Sequence, residues 1–163
     1  MKKYDVIVVG GGFAGVAAAV AAARMGVKTL LVEKTGNLGG AASNSLVLPF
    51  MRYFTDVKNN DGTKSKLYLV QGIFKEIVEK VKANEVGADT FFNTDYMKYV
   101  LDGIVTDSGA DILFHSYVTS SDVENRKIKS LEISSANGKN VFYSDCFVDA
   151  TGDANLAFLT DCG

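Results

Sequence analysis

A short apolar run, Tyr4 to Val9, leads straight into Gly10-Gly11-Gly12-Phe13-Ala14-Gly15, and an alanine-rich stretch follows. No other feature constrains the fold as strongly, because glycines at the first, third and sixth places of such a run each answer a separate demand. Gly10 permits a tight turn out of a strand, Gly12 lets the backbone approach a pyrophosphate, and Gly15 lets a helix pack close to the strand. The surrounding pattern supplies the two elements that these glycines presuppose. Tyr4 to Val9 reads as a strand buried on both faces, and Phe13 to Met25 as a helix with Gly26 at its C-terminal cap. Val27 to Val32 reads as a second buried strand, so the segment predicts a right-handed βαβ unit. Glu33 stands eighteen residues beyond Gly15, where an acid accepts the hydroxyls of a nucleotide ribose. A carboxylate there would repel a 2′-phosphate, which disfavours NADP. An ordinary glycine turn, or a surface pair between Glu33 and Lys34, is the plainer alternative.

The rest of the chain predicts one α/β domain. A chain of about 150 residues buries roughly 70% of its unfolded surface, enough for one core. From Lys34 to Gln71 glycine, asparagine, serine and charge predominate, with an apolar island at Leu46 to Phe50. Such a long connector predicts cofactor contacts in its first half and mobility around Lys58 to Lys66. Ile73, Ile77, Val78 and Val81 recur at helical spacing. A further helix is expected over Asp95 to Ser108, with Asn93 or Thr94 as N-cap and Gly109 past its end. The pattern then changes to period two: Asp111 to Thr119, Ile128 to Ser134 and Asn140 to Phe147 read as strands, with turns at Glu124 to Lys127 and Asn137-Gly138. Cys146 to Ala150 closes the series as a buried run. The expected architecture is a Rossmann-like parallel sheet flanked by helices, with an antiparallel hairpin that leaves the main sheet and returns to it.

Composition narrows the functional classes. With 47% hydrophobic residues, 22% charged residues and a net charge of −2, the chain is of ordinary globular make-up and carries no basic stripe for nucleic acid. Cys146 and Cys162 are too few for a disulfide framework, and no His or Cys cluster has metal-ligand spacing, so no metal and a cytoplasmic setting are expected. Val6 to Ala23 could pass for a signal peptide or membrane span, but Asp5, the three glycines and the alanine-rich second half oppose both. No membrane partner is expected.

The chain resembles the FAD-dependent oxidoreductases whose nucleotide domain is like that of fumarate reductase and succinate dehydrogenase flavoproteins. The resemblance rests on Val6 to Gly15, on Val32-Glu33-Lys34 followed by Leu38-Gly39-Gly40-Ala41, and on Val148-Asp149-Ala150-Thr151-Gly152-Asp153 with Leu156 and Ala157. It implies FAD as cofactor, with Gly10, Gly12, Phe13, Ala14 and Gly15 at the pyrophosphate and Glu33, beside Lys34, at the adenosine ribose. Gly39, Gly40 and Ala41 would approach the ribityl chain or flavin, Val118 the adenine, and Thr151, Gly152 and Asp153 the cofactor from the other side. The implied chemistry is hydride exchange at flavin N5 with a small-molecule substrate.

Two departures qualify the resemblance. Some relatives attach FAD through a histidine in the loop after Glu33, and this loop has none, so a noncovalent cofactor is expected. The single histidine, His115, is read as a core or edge strand residue. The substrate domain that carries the catalytic acids and bases is missing from the 163 residues, by natural truncation or by excision, and the catalytic residues stay unassigned. The chain alone is then expected to be inactive and to self-associate through the face so exposed. An NAD-binding dehydrogenase domain and a noncatalytic nucleotide-binding module are the competing readings.

Overall fold

Residues 2–45, 47, 49–83 and 91–160 are described in a computed structural model. β1 (Lys2–Val9), α1 (Phe13–Arg24) and β2 (Thr29–Val32) form the expected βαβ unit, with β1 and β2 parallel from Val6 beside Thr29 to Val9 beside Val32. After α2 (Ala41–Asn44) come β3 (Phe54–Lys58), β4 (Lys64–Tyr68), α3 (Ile73–Lys82) and α4 (Thr94–Asp107). β5 (Asp111–Leu113), β6 (Tyr117–Glu124), β7 (Lys127–Ser135), β8 (Gly138–Asp149) and α5 (Asn155–Leu159) follow. Six strands share one sheet in the order β5-β2-β1-β8-β7-β6. The β5-β2-β1-β8 part is parallel, and β8-β7-β6 is an antiparallel meander.

The period-two alternation of β1 and β2 divides the core into two layers. Val8 and Leu31 face one side, where α1, α3 and α4 cover them with Val16, Val20, Ile77, Val81, Leu101 and Ile104. Ile7, Val9, Leu30 and Val32 face the other, and Leu131, Ile133 and Phe142 of the meander pack there. The parallel strands are therefore buried on both faces, which is why they read as continuous apolar runs. α1 serves this arrangement with small side chains: Gly15, Val16, Ala19, Val20 and Ala23 are its buried stripe, and alanine keeps the helix close to the sheet at no rotamer cost.

Several expectations change. The strand expected over 140–147 and the buried run over 146–150 are one continuous strand, β8, which pairs with β7 over Gly138–Tyr143 and with β1 over Phe142–Asp149. Its last residues are half-buried and Cys146 is exposed, with α1 and the short α5 packed against this strand. The expected strand over 111–119 breaks at Phe114–Ser116 into β5 and β6, which stand at opposite ends of the strand order. The turn between β7 and β8 centres on Ala136 and Asn137, one residue earlier than expected, with Ser135 paired to Gly138. Asn125 and Arg126, both at positive φ, make the tight turn between β6 and β7.

The 58–66 stretch, expected to be mobile, belongs to the β3–β4 hairpin, whose turn is closed by Asn59 N–H on the Thr63 carbonyl at 2.8 Å. An aromatic group pins the region: Phe50 lies within 4.5–6.1 Å of Phe92, Phe74, Phe13 and Tyr53, centroid to centroid. Single glycine- and lysine-rich residues gave no sign of this, because the contacts join segments far apart in sequence. The N-cap of α4 is as expected, with Asn93 Oδ1 accepting the N–H groups of Asp95 and Tyr96 at 2.9 and 3.0 Å.

Leu31→Ala, at a side chain with 0% exposure between the helices and β1, is expected to cost ~2–5 kcal/mol of unfolding free energy. Leu67→Ala on the exposed hairpin strand should stay within about 0.5 kcal/mol, and urea titrations followed by circular dichroism compare the two.

Candidate nucleotide site

Loops leave β1, β2 and β8 at their carboxyl ends and meet there. The chain steps from β1 to β2 on one side and later inserts β8 on the other, and such a reversal of strand order is where open α/β sheets bind ligands. Gly10 N–H donates to the Val32 carbonyl and Ala150 N–H to the Val9 carbonyl, each at 2.8 Å, while Gly39 N–H donates to the Gly11 carbonyl at 2.8 Å. The segments that hold the expected site residues, 10–15, 33–34, 39–41 and 151–153, are thus brought together.

The three motif glycines separate into structural and open positions. Gly10 has φ +102°, and a Cβ there would sit 2.6 Å from the Ala150 carbonyl oxygen. A Cβ on Gly15 would overlap the Gly10 carbonyl oxygen, so the helix rests directly on the turn. Gly12 is the opposite case, since a Cβ there would meet nothing within 4 Å. Above it, α1 begins with no side-chain cap and no acidic residue in its first turn. Unpaired N–H groups and the positive end of the helix dipole there favour an anion. Gly40, at φ +55°, closes the opposite wall, with a Cβ position 3.1 Å from the Gly12 Cα. An uncapped helix start beneath an unfilled cradle fits the pyrophosphate of a dinucleotide.

Individual residues occupy this frame differently. Ala14 is exposed at the helix start, whereas the Phe13 ring turns into the aromatic group against Phe50 and Phe74. Phe13 therefore offers the site its backbone alone. Glu33 is only 7% exposed. Its Oε2 accepts the Gly11 N–H at 2.6 Å, and its Oε1 accepts the N–H and hydroxyl of Thr35 at 2.7 and 2.8 Å. It is not the surface partner of Lys34, which lies exposed. Gly39 is buried against Ser43, and Ala41 is exposed at the start of α2. Val118 lies two residues past Ser116, whose N–H donates to the Glu33 carbonyl at 3.0 Å. That bond brings the start of β6 beside Glu33.

His115 proves to be neither a core nor a strand residue. It sits exposed at φ +49° in the β5–β6 crossing, and its ring lies where a Cβ on Gly36 would be, 2.7 Å from Cε1. Its N–H donates to the Thr35 carbonyl at 3.1 Å.

On the β8 side, Gly152 and Asp153 are exposed at the turn, and Thr151 presses its backbone on Gly10. The turn is organised by Asp149, a residue the motif reading assigned no site role. Its Oδ1 accepts the N–H and hydroxyl of Thr151 at 3.0 and 2.7 Å, and its Oδ2 accepts the Ala157 N–H at 2.9 Å. Burial raises the Asp149 carboxyl, but the hydrogen bonds from Thr151, Ala157 and Leu156 outweigh it and hold the group below its ordinary value. The Asp-x-Thr spacing was a legible sign, since an aspartate commonly bonds the backbone two residues on. Thr35 and Gly11 were also missed. Glu33 and Thr35 repeat the acid-x-Thr spacing, whereas nothing local marks Gly11, which bonds Glu33 from a different loop. Among the described residues no group of His, Cys, Asp and Glu is placed to hold a metal.

Known proteins similar to this chain bear on its family and its fold. The family model described as FAD dependent oxidoreductase matches residues 5–163. Dihydrolipoyl dehydrogenase of Trypanosoma brucei brucei is 54% identical over 48 residues, which is 29% of this chain and 10% of that protein. The tRNA uridine 5-carboxymethylaminomethyl modification enzyme MnmG of Treponema pallidum (strain Nichols) is 34% identical over 113 residues, 62% of this chain and 17% of its own. The chain thus spans less than a fifth of the length of these curated relatives. Among solved structures, 3-ketosteroid-delta4-(5alpha)-dehydrogenase from Rhodococcus jostii RHA1 superposes with a TM-score of 0.63 at 16% identity, covering 93% of this chain and 46% of that one. L-proline dehydrogenase from P. horikoshii gives 0.62 at 15% identity, covering 98% and 56%. At these identities the structural likeness establishes the Rossmann-like fold.

An acid whose value is lowered by folding contributes stability above its unfolded value, and that contribution is lost as pH falls through the folded value. The protein should therefore lose stability below pH ~4. Asp149→Asn should be less stable at pH 7, on the order of 1–3 kcal/mol, with a flatter decline toward acid. Thermal melts of both proteins between neutral pH and strong acid make the comparison.

Proposed function

The chain belongs to the FAD dependent oxidoreductase family, and from that premise we propose that its 163 residues are the FAD-binding portion of a longer flavin-linked redox enzyme. The observation that carries this reading is the open position at Gly12 beneath the uncapped start of α1. The backbone of Gly12, Phe13, Ala14 and Gly15 would hold the pyrophosphate there, and Glu33 the adenosine ribose. Gly39, Gly40 and Ala41 would lie along the ribityl side, Thr151, Gly152 and Asp153 would border the cofactor beyond Gly10, and Val118 would meet the adenine. Lys34 would remain at the solvent edge.

When bound, the flavin supplies two-electron redox chemistry that no protein side chain here provides, while the chain supplies position and electrostatics. We propose that the substrate is a small molecule, and that its acids and bases come from parts of the relatives to which this chain does not correspond. The cofactor is proposed to be noncovalent, since the loop after Glu33 lacks a histidine. A cytoplasmic setting is proposed from the sparse cysteines; among the described helices none is long and apolar enough to cross a membrane.

Titration of the protein into FAD should give saturable quenching of flavin fluorescence that NAD does not relieve. Gly12→Asp should abolish it while leaving the melting temperature near that of the parent protein, because the position is open; retained quenching by the variant would refute the assignment. Exposed Met51, Leu69 and Phe91 support self-association of the isolated chain, and a monodisperse monomer in light scattering would overturn that part of the proposal.

A further inference from the structure

Resting on the nucleotide reading, we propose that Thr35 is a positioning residue that keeps Oε1 of the Glu33 carboxylate filled in the ligand-free protein and releases it to a ribose hydroxyl by turning its own hydroxyl proton. A carboxylate offers about four acceptor directions. Three on Glu33 are taken by the protein itself: the Thr35 N–H and hydroxyl on Oε1, and the Gly11 N–H on Oε2. As it stands, one direction is left, on Oε2, and a ribose presents two hydroxyls.

The Thr35 hydroxyl has a single proton and two acceptors within reach, Glu33 Oε1 at 2.8 Å and the Asn37 carbonyl at 3.0 Å. It also lies 3.5 Å from the Asn44 side-chain N–H₂, which can donate to it in either state. Rotation about one C–O bond therefore moves the proton from Glu33 to Asn37 without displacing a heavy atom or breaking the Asn44 approach. Oε1 keeps the Thr35 N–H and gains one open direction, so the carboxylate can then accept both ribose hydroxyls.

The device matters because Glu33 is buried and an unmatched acceptor there is costly. With no ligand, the hydroxyl supplies the missing bond; with ligand, the ribose does. Removing the hydroxyl should therefore penalise the free protein, which loses a bond to a buried carboxylate, more than the complex, which loses only a bond to the Asn37 carbonyl; loss of a ligand contact does the reverse. Two other buried acceptors, Asn37 Oδ1 and Asp102 Oδ1, lack a partner, and neither is needed for this account.

The experiment measures melting temperature and affinity with FAD and with ADP, which carries the same ribose, for the parent chain, Thr35→Val and Thr35→Ser. Thr35→Val should lower the ligand-free melting temperature, recover most of that loss at saturating ligand, and bind several-fold more tightly. Thr35→Ser should behave as the parent. Equal losses with and without ligand, or weaker binding by Thr35→Val, would overturn the proposal. Should Thr35→Val fail to fold, the parent chain decides with 2′-deoxy-ADP and 3′-deoxy-ADP. Several-fold weaker binding of both supports release of Oε1, and weakening of only one overturns it. No response of the parent chain to FAD or ADP would overturn the nucleotide reading, and this proposal with it.

Discussion

The backbone of Gly15 lies so close to the Gly10 carbonyl that no side chain could stand between them, and the rest of the site follows from this contact. It sets α1 against the end of β1, which aims the helix start at the space above Gly12. It also leaves room on the other side of Gly10 for the Ala150–Thr151 backbone, so that β8 can run beside β1 to its end. Glycine is required twice here for different reasons: at Gly15 because of space, and at Gly10 because of both space and a positive φ.

Around that contact the loops are joined by backbone and carboxylate hydrogen bonds more than by apolar packing. Glu33 ties the turn after β2 to Gly11, and Asp149 ties the turn after β8 to α5. Each acid sits at the carboxyl end of a parallel strand and accepts backbone N–H groups. Such turns lack ladder partners, and buried N–H groups must find acceptors somewhere. The same two carboxylates therefore shape the cradle before any ligand enters it, a form of preorganisation that spares binding the cost of ordering loops.

Glu33 also shows how one residue can satisfy a motif and yet act differently from its simplest reading. Its spacing from Gly15 pointed to ribose recognition, while the structure shows a carboxylate already engaged by Gly11 and Thr35. A hydroxyl donor, unlike a backbone N–H, can turn to a second acceptor, and the proposed release of Oε1 rests on that difference.

The sequence by itself determined the βαβ unit, the helices at α3 and α4, and the three segments of the site. Each of these is written in local terms: glycine spacing, apolar periodicity, an N-cap asparagine. Only the tertiary structure decided that Phe13 points into the aromatic group, that the 58–66 stretch is part of a hairpin, that His115 lies in a surface crossing, and that the meander covers one face of the parallel sheet. The physical reason is that these outcomes depend on contacts between residues distant in the chain, such as Phe50 with Phe92 or Leu131 with Ile7, whereas periodicity and spacing report only which face of an element is apolar and where it starts and stops.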